Sequence, residues 1–175
     1  MLKTSLKFGL WAGVIMAAGG SISCIIYSKD FNMDTGEILG YTSMVLALTS
    51  IFFGIRHYRN NRLGGKISYI QGVKVGLTIS AIAGVIYSIY SIIFYKFLFP
   101  DFMEKYMQFY TDKIKNSGAS QEVIAKQLAD MQTNMALYNN LLFQVLIMFA
   151  TVFAVGLVIT LISAAILKRK ELKTN

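Results

Sequence analysis

Four times this chain runs through about twenty residues without a charge, and that limits its fold more than any other feature. Phe8–Tyr27 and Ile38–Ile55 carry no charged side chain. Val75–Tyr95 is charge-free between Lys74 and Lys96, and Leu141–Leu167 is charge-free up to Lys168-Arg169-Lys170. A hydrocarbon core about 30 Å thick is crossed by about 20 apolar residues at a rise of ~1.5 Å each. In lipid the backbone polar groups must be satisfied within the segment, which a helix does. The runs therefore predict an all-α, polytopic membrane protein with four transmembrane helices at about 8–27, 38–55, 73–99 and 141–167. Composition agrees: the chain is 55% hydrophobic and 15% charged, where a soluble domain is about a quarter charged.

The ends of the runs read as helix boundaries. Asp34-Thr35-Gly36-Glu37 has the form of a capping box that starts the second helix outside the bilayer. Asn139 and Asn140 are good N-caps for the fourth, and Lys74 and Lys96 are placed to snorkel to opposite interfaces. The first run also invites comparison with a cleaved signal, or with a lipoprotein signal ending at Ser21-Ile22-Ser23-Cys24. It is longer than the usual apolar stretch of about 7–15 residues and lacks an Ala-x-Ala site, and Ser21 stands where a lipobox has an aliphatic residue. A retained helix is expected, with Cys24 a buried or lipid-facing thiol. One cysteine and one histidine leave no intrachain disulfide and no cysteine- or histidine-rich metal site. No metal and no cofactor is expected.

Orientation follows from the bases, because Lys and Arg collect in cytoplasmic loops. Lys3 and Lys7 precede the first run; Arg56, Arg59, Arg62, Lys66 and Lys74 follow the second; Lys168, Arg169, Lys170 and Lys173 follow the fourth, with Glu171 the lone acid among them. The other side sets Lys29, Lys96, Lys105, Lys113, Lys115 and Lys126 against Asp30, Asp34, Glu37, Asp101, Glu104, Asp112, Glu122 and Asp130. This alternation predicts a bacterial cytoplasmic-membrane protein with both termini in the cytoplasm and residues 100–138 outside. The net charge of +8 then belongs to an anionic lipid surface. No basic helix with interleaved aromatics is present to track nucleic acid.

Helices in lipid associate through small residues. Gly9, Gly13, Ala17 and Ser21 recur at four-residue spacing in the first span, and Gly72, Gly76, Ser80, Gly84 and Ser88 in the third; Gly156, Thr160 and Ala164 mark the fourth. The ridge of Gly76, Ser80 and Gly84 is expected to pack inside the monomer, against the first span, although such ridges also serve homo-oligomers. No ionisable residue lies within the core of a span, which speaks against a pump or proton-coupled transporter. Ser80, Tyr87 and Ser91 share one face of the third span, and either line a polar cavity or hydrogen-bond across helices.

Two loops carry information. Arg56, Arg59 and Arg62 recur every third residue along a helical extension, Gly64-Gly65 breaks it, and Ile67, Tyr69 and Ile70 follow as an interfacial segment. Arg56, Arg59, Arg62 and Lys66 are the candidate lipid head-group contacts; the topology rule alone also accounts for them. His57 has no nearby carboxylate to orient it as a base. The second loop, 100–138, reads as an extracytoplasmic helical hairpin. Met103, Met107, Tyr110 and Ile114 form one stripe, and Ile124, Leu128, Met131, Met135 and Tyr138 another. Asn116-Ser117-Gly118-Ala119 breaks between them, with Gly118 suited to a C-cap and Ser120 to an N-cap. The stripes are expected to pack on each other, leaving Phe102, Tyr106 and Phe109 for the membrane interface or a partner.

Several of these patterns resemble a bacterial family of small four-span membrane proteins, the domain of unknown function family 4199. They are Phe53-Gly54-Ile55-Arg56 with Tyr58-Arg59, Gly65-Lys66-Ile67-Ser68 with Gly72 and Gly76, Tyr95-Lys96-Phe97 with Pro100-Asp101-Phe102, and Ser117-Gly118-Ala119-Ser120. Gly156-Leu157, Ile162-Ser163-Ala164 and Ile166-Leu167-Lys168-Arg169-Lys170 complete a likeness that spans nearly the whole chain. It implies the fold but no activity, and no functional residues carry over from it.

Three function classes fit these features. An accessory or interaction protein of the membrane, with the hairpin as its contact surface for a protein partner or a second copy, needs nothing beyond the residues present, and is the expectation. A subunit of a small transporter or channel needs a polar path, for which only the Ser80, Tyr87 and Ser91 face is offered. A lipid-modifying enzyme needs an interfacial acid–base pair. Asp101 and Glu104 are the sole candidates for that, and a helix's first turn explains both without chemistry. No enzymatic activity is expected.

Overall fold

The structure, a computed structural model, describes residues 1–27, 33–138 and 140–169. Lys29, Asp30, Asn139, Lys170, Glu171 and Lys173, used above for topology and capping, lie outside the described residues. The helices are α1 (Leu2–Tyr27), α2 (Met33–Leu48), α3 (Ser50–Arg62), α4 (Tyr69–Ile93), α5 (Phe102–Lys115), α6 (Gln121–Tyr138) and α7 (Leu141–Leu167), and α4 continues as a π-helical turn over Phe94–Leu98. Among the described residues the one sheet-like contact is an antiparallel bridge between Ile67 and Arg169. Among the described residues four helical stretches are long and apolar enough to cross a membrane: Leu2–Ile25, Met33–Arg62, Tyr69–Leu98 and Leu141–Leu167.

Local chemistry sets the boundaries. Ser68 and Gln71 form a capping box at the start of α4, so Tyr69 and Ile70 belong to its first turn rather than to a separate interfacial segment. Asn140 Oδ1 accepts from Leu142 N and Phe143 N, fixing the start of α7. Gly64 and Gly65, at φ 61° and 87°, take the left-handed turn that ends α3. Gly118, at φ 72°, makes the turn between α5 and α6. The second span is broken at Thr49, whose hydroxyl donates to Leu46 O and whose N–H is shared between Val45 O and Leu46 O. A polar side chain bonding back into the ladder is a recognised cause of such a kink.

α4 is the central helix, with α1 on one side and α7 on the other in its two most extensive contacts. The Gly76–Ser80–Gly84 ridge faces α7, not the first span. A Cβ on Gly76 would lie 2.5 Å from Thr160 Cγ2, one on Gly84 would lie 2.9 Å from Phe149, and Gly156 in turn backs onto Ser80. The first span does meet α4 through glycines, but they are its own: Gly9 against Ile82 and Gly13 against Ile86. The misassignment has a simple cause, since small-residue spacing marks a close face without naming its partner. Met16, Leu48, Ile51, Ile55, Val75, Ile79 and Val152 form the sealed middle of the bundle.

Candidate functional site

At one end of the bundle the helices separate. α2 leans on α1 and barely meets α7. Between α2 and α7 lies a cavity of about 970 Å³. Glu37, Gly40, Tyr41 and Met44 line it from one face of α2, and Phe143, Ile147, Met148 and Thr151 from one face of α7. Tyr87 lines it from α4 and Tyr95 from the π-helical turn, and α5 and α6 contribute Met103, Tyr106, Tyr110, Lys113, Asp130, Met131, Met135 and Tyr138. A second cavity of about 270 Å³ adjoins it, sharing Gly40, Tyr87, Tyr95, Phe102 and Met148 and reaching Cys24, Tyr90 and Asp101. The π-helical turn sits at this junction, placing Phe94 and Tyr95 against Phe102. Turns of this kind are frequent at functional sites.

α5 is tied to α2 by two polar contacts. Tyr110 Oη donates to Glu37 Oε1 at 2.8 Å, and Lys113 Nζ lies 2.7 Å from both oxygens of Asp34. The sequence spacing of Asp34 and Glu37 predicts a capping box; in the structure Asp34 stands inside the first turn of α2 and both carboxylates hold α5 instead. The Tyr110 phenol is pushed up by burial, then by its hydrogen bond to Glu37 and by that carboxylate's charge. Tyr106 is also raised, chiefly by burial and then by Glu37, with a hydrogen bond to Tyr110 pulling the other way. Both phenols stay protonated at neutral pH, and Tyr110 acts as the donor to Glu37.

The hairpin stripes do not close on each other. α5 and α6 touch lightly, none of their residues is fully buried, and Met103, Tyr110 and Ile114 face Met131, Met135 and Tyr138 across the cavity. Nor are Phe102 and Tyr106 left free. Phe102 packs on Phe94 and Tyr95, and Tyr106 lies 4.6 Å from Tyr110 inside the cavity wall. Phe109 is half-buried outside both cavities, with the Lys113 ammonium 5.9 Å from its ring. Of the Ser80, Tyr87 and Ser91 face, Tyr87 and Ser91 line cavities. Ser80 is buried against Gly156 and donates to Gly76 O. The cross-helix bond falls to the neighbouring Ser88, whose hydroxyl reaches Val145 O on α7 at 3.1 Å. Asp101 has no side-chain capping bond, and Glu104 is exposed.

At the opposite end the bases divide rather than converge. Arg56, Arg62 and Lys66 are exposed, while Arg59 is 9% exposed and points inward. Arg59 Nη1 donates to Leu167 O, at the C-terminus of α7, and Arg59 Nε donates to Asn60 Oδ1. That is where a helix's partial negative charge favours a cation. His57 lies 2.9 Å from Asn61 Nδ2. Six of the ten tyrosines line the larger cavity. Sequence reading missed it, although the Glu37, Gly40, Tyr41 and Met44 spacing and the clustering of Tyr and Met near 87–148 were its available signals.

A family model described as protein of unknown function (DUF4199) matches residues 7–169. Among curated proteins and among solved structures nothing matches.

Proposed function

The chain belongs to the DUF4199 family of proteins of unknown function, and we propose that it is a multi-pass accessory protein of the bacterial cytoplasmic membrane. In this reading it works by binding, not catalysis, with both termini in the cytoplasm and α5–α6 on the outer face. The observation that carries it is the large cavity beneath α5 and α6, lined by tyrosines and methionines and held open by the Tyr110–Glu37 and Lys113–Asp34 contacts. Concave, largely apolar sites with a few placed polar groups are what ligand-binding sites look like. The polar groups at its rim are engaged with one another, an arrangement that holds a shape rather than activates a nucleophile. The charge supports the orientation. Lys3, Lys7, Arg56, Arg59, Arg62, Lys66, Lys74, Lys168 and Arg169 gather at one end, and every described Asp and Glu lies at the other. Phe109 on α5 is the partner contact.

A photo-crosslinking amino acid placed at Phe109 in living cells tests the reading. A discrete adduct with a protein of fixed mass is expected there and not from the lipid-facing position Leu46, which is exposed on α2. No adduct at Phe109, or the same pattern from both positions, contradicts it.

A further inference from the structure

We infer that the larger cavity binds one membrane amphiphile with an ammonium head group, which enters sideways from the bilayer between α2 and α7. The inference rests on the reading of this protein as a binding module and names what that module takes. Shape gives the first argument. The α2 wall runs from Glu37 to Met44, about 10 Å at ~1.5 Å per residue. It passes from a carboxylate to a thioether, so the space itself is amphipathic. Tyr41 lines the cavity while remaining 59% exposed, so the opening passes it on the side where α2 and α7 part. The exposed neighbours Ile38 and Leu142 are lipid-facing surface, so the mouth meets lipid.

Charge gives the second argument. The cavity has three charged lining residues, Glu37, Lys113 and Asp130. Lys113 is held by Asp34 at 2.7 Å, which leaves the rim net acidic. Around it stand the rings of Tyr106 and Tyr138, while the Tyr110 ring already has the Lys113 ammonium 5.6 Å from its centroid. Carboxylates together with aromatic faces attract an ammonium ion and repel a purely anionic head. The tail then lies among Met44, Ile147 and Met148, where flexible thioethers fit varied chains. Anionic lipids have their own attraction at the opposite, basic end of the bundle.

The same chemistry has two sources: a zwitterionic phospholipid such as phosphatidylethanolamine, or a free lipophilic cation. The full chain is reconstituted in nanodiscs of equal phosphatidylethanolamine and phosphatidylglycerol, with a trace of phosphatidylethanolamine carrying a diazirine in one acyl chain. Adducts are expected on Met44, Ile147 and Met148, well above those on the exposed Leu142 and Leu146. Adducts that added dodecyltrimethylammonium does not displace assign the phospholipid. Adducts that it does displace assign ammonium amphiphiles in general; both results support the inference. Glu37→Gln with Asp130→Asn lowers labelling about fivefold. Met148→Trp, which fills the tail end without altering charge, blocks it with the fold checked by circular dichroism. Equal labelling from a diazirine phosphatidylglycerol, adducts no denser than at Leu142 and Leu146, or indifference to both variants overturns the inference. None of these outcomes depends on a protein partner, so failure here leaves the Phe109 contact standing, and the reverse holds too.

Discussion

Gly76 has no room for a side chain, whereas Gly40 has room to spare. A Cβ on Gly76 meets Thr160 Cγ2 at 2.5 Å and Oγ1 at 2.6 Å; one on Gly40 meets nothing within 4 Å. Gly76→Ala should therefore lower thermal stability in detergent by about 1–3 kcal/mol through overpacking, and Thr160→Ala added to it should recover most of the loss. Gly40→Ala should be neutral or stabilising by about 0.5–1 kcal/mol, since alanine is the better helix former. If Gly76→Ala melts like the parent, the α4–α7 seam is not as close as described. Arg59 makes a second contrast at this scale. It alone of the loop arginines is buried, and it donates to the last carbonyl of α7. Arg59→Ala should cost about 1 kcal/mol, while Arg56→Ala and Arg62→Ala, both exposed, should stay within about 0.5 kcal/mol. Equal costs at all three would show that the contact with Leu167 contributes nothing.

Among the elements, α5 has no fully buried residue and is tied to α2 by polar contacts. Its bond from Tyr110 to Glu37 has a definite pH sign. The folded phenol is raised above its ordinary value of 10.0, so its contribution is complete below that pH. It is lost as pH rises beyond, because the unfolded phenol ionises first. An alkaline absorbance titration should show tyrosines ionising late, and Tyr110→Phe should remove one of them from that late component; a late component unchanged by the substitution would contradict the bond. The elements themselves were largely legible in the sequence, for physical reasons. The fourth span, Leu141–Leu167, is unbroken apolar helix, and the stripe Ile124, Leu128, Met131, Met135 and Tyr138 is the half-buried face of α6. Partnership was not legible. Periodicity tells which face of a helix is buried, not what covers it. The α5 and α6 stripes accordingly looked made for each other, yet they line a shared cavity. The Thr49 break escaped notice because one threonine in an apolar run carries no distinctive signal.

At the scale of the whole molecule, charge and shape are separated end from end. The described bases of the second span's loop and of the termini crowd one end, and the described acids surround the other, where α2 and α7 part. The runs of apolar residues predicted the four spans, since bilayer thickness sets their length directly. The cavity was not readable, because it arises from divergence between α2 and α7, positions far apart in sequence. Its tyrosines come from five different helices or turns. The proposed topology has four membrane crossings, with the basic end inside and α5–α6 outside. Cysteine accessibility tests this most directly. In a Cys24→Ser background, single Ser117→Cys and Arg62→Cys variants are exposed to a membrane-impermeant maleimide in intact spheroplasts and again after permeabilisation. Ser117→Cys should label at once and Arg62→Cys only after permeabilisation; labelling of Arg62→Cys in sealed spheroplasts while Ser117→Cys stays protected would contradict this topology.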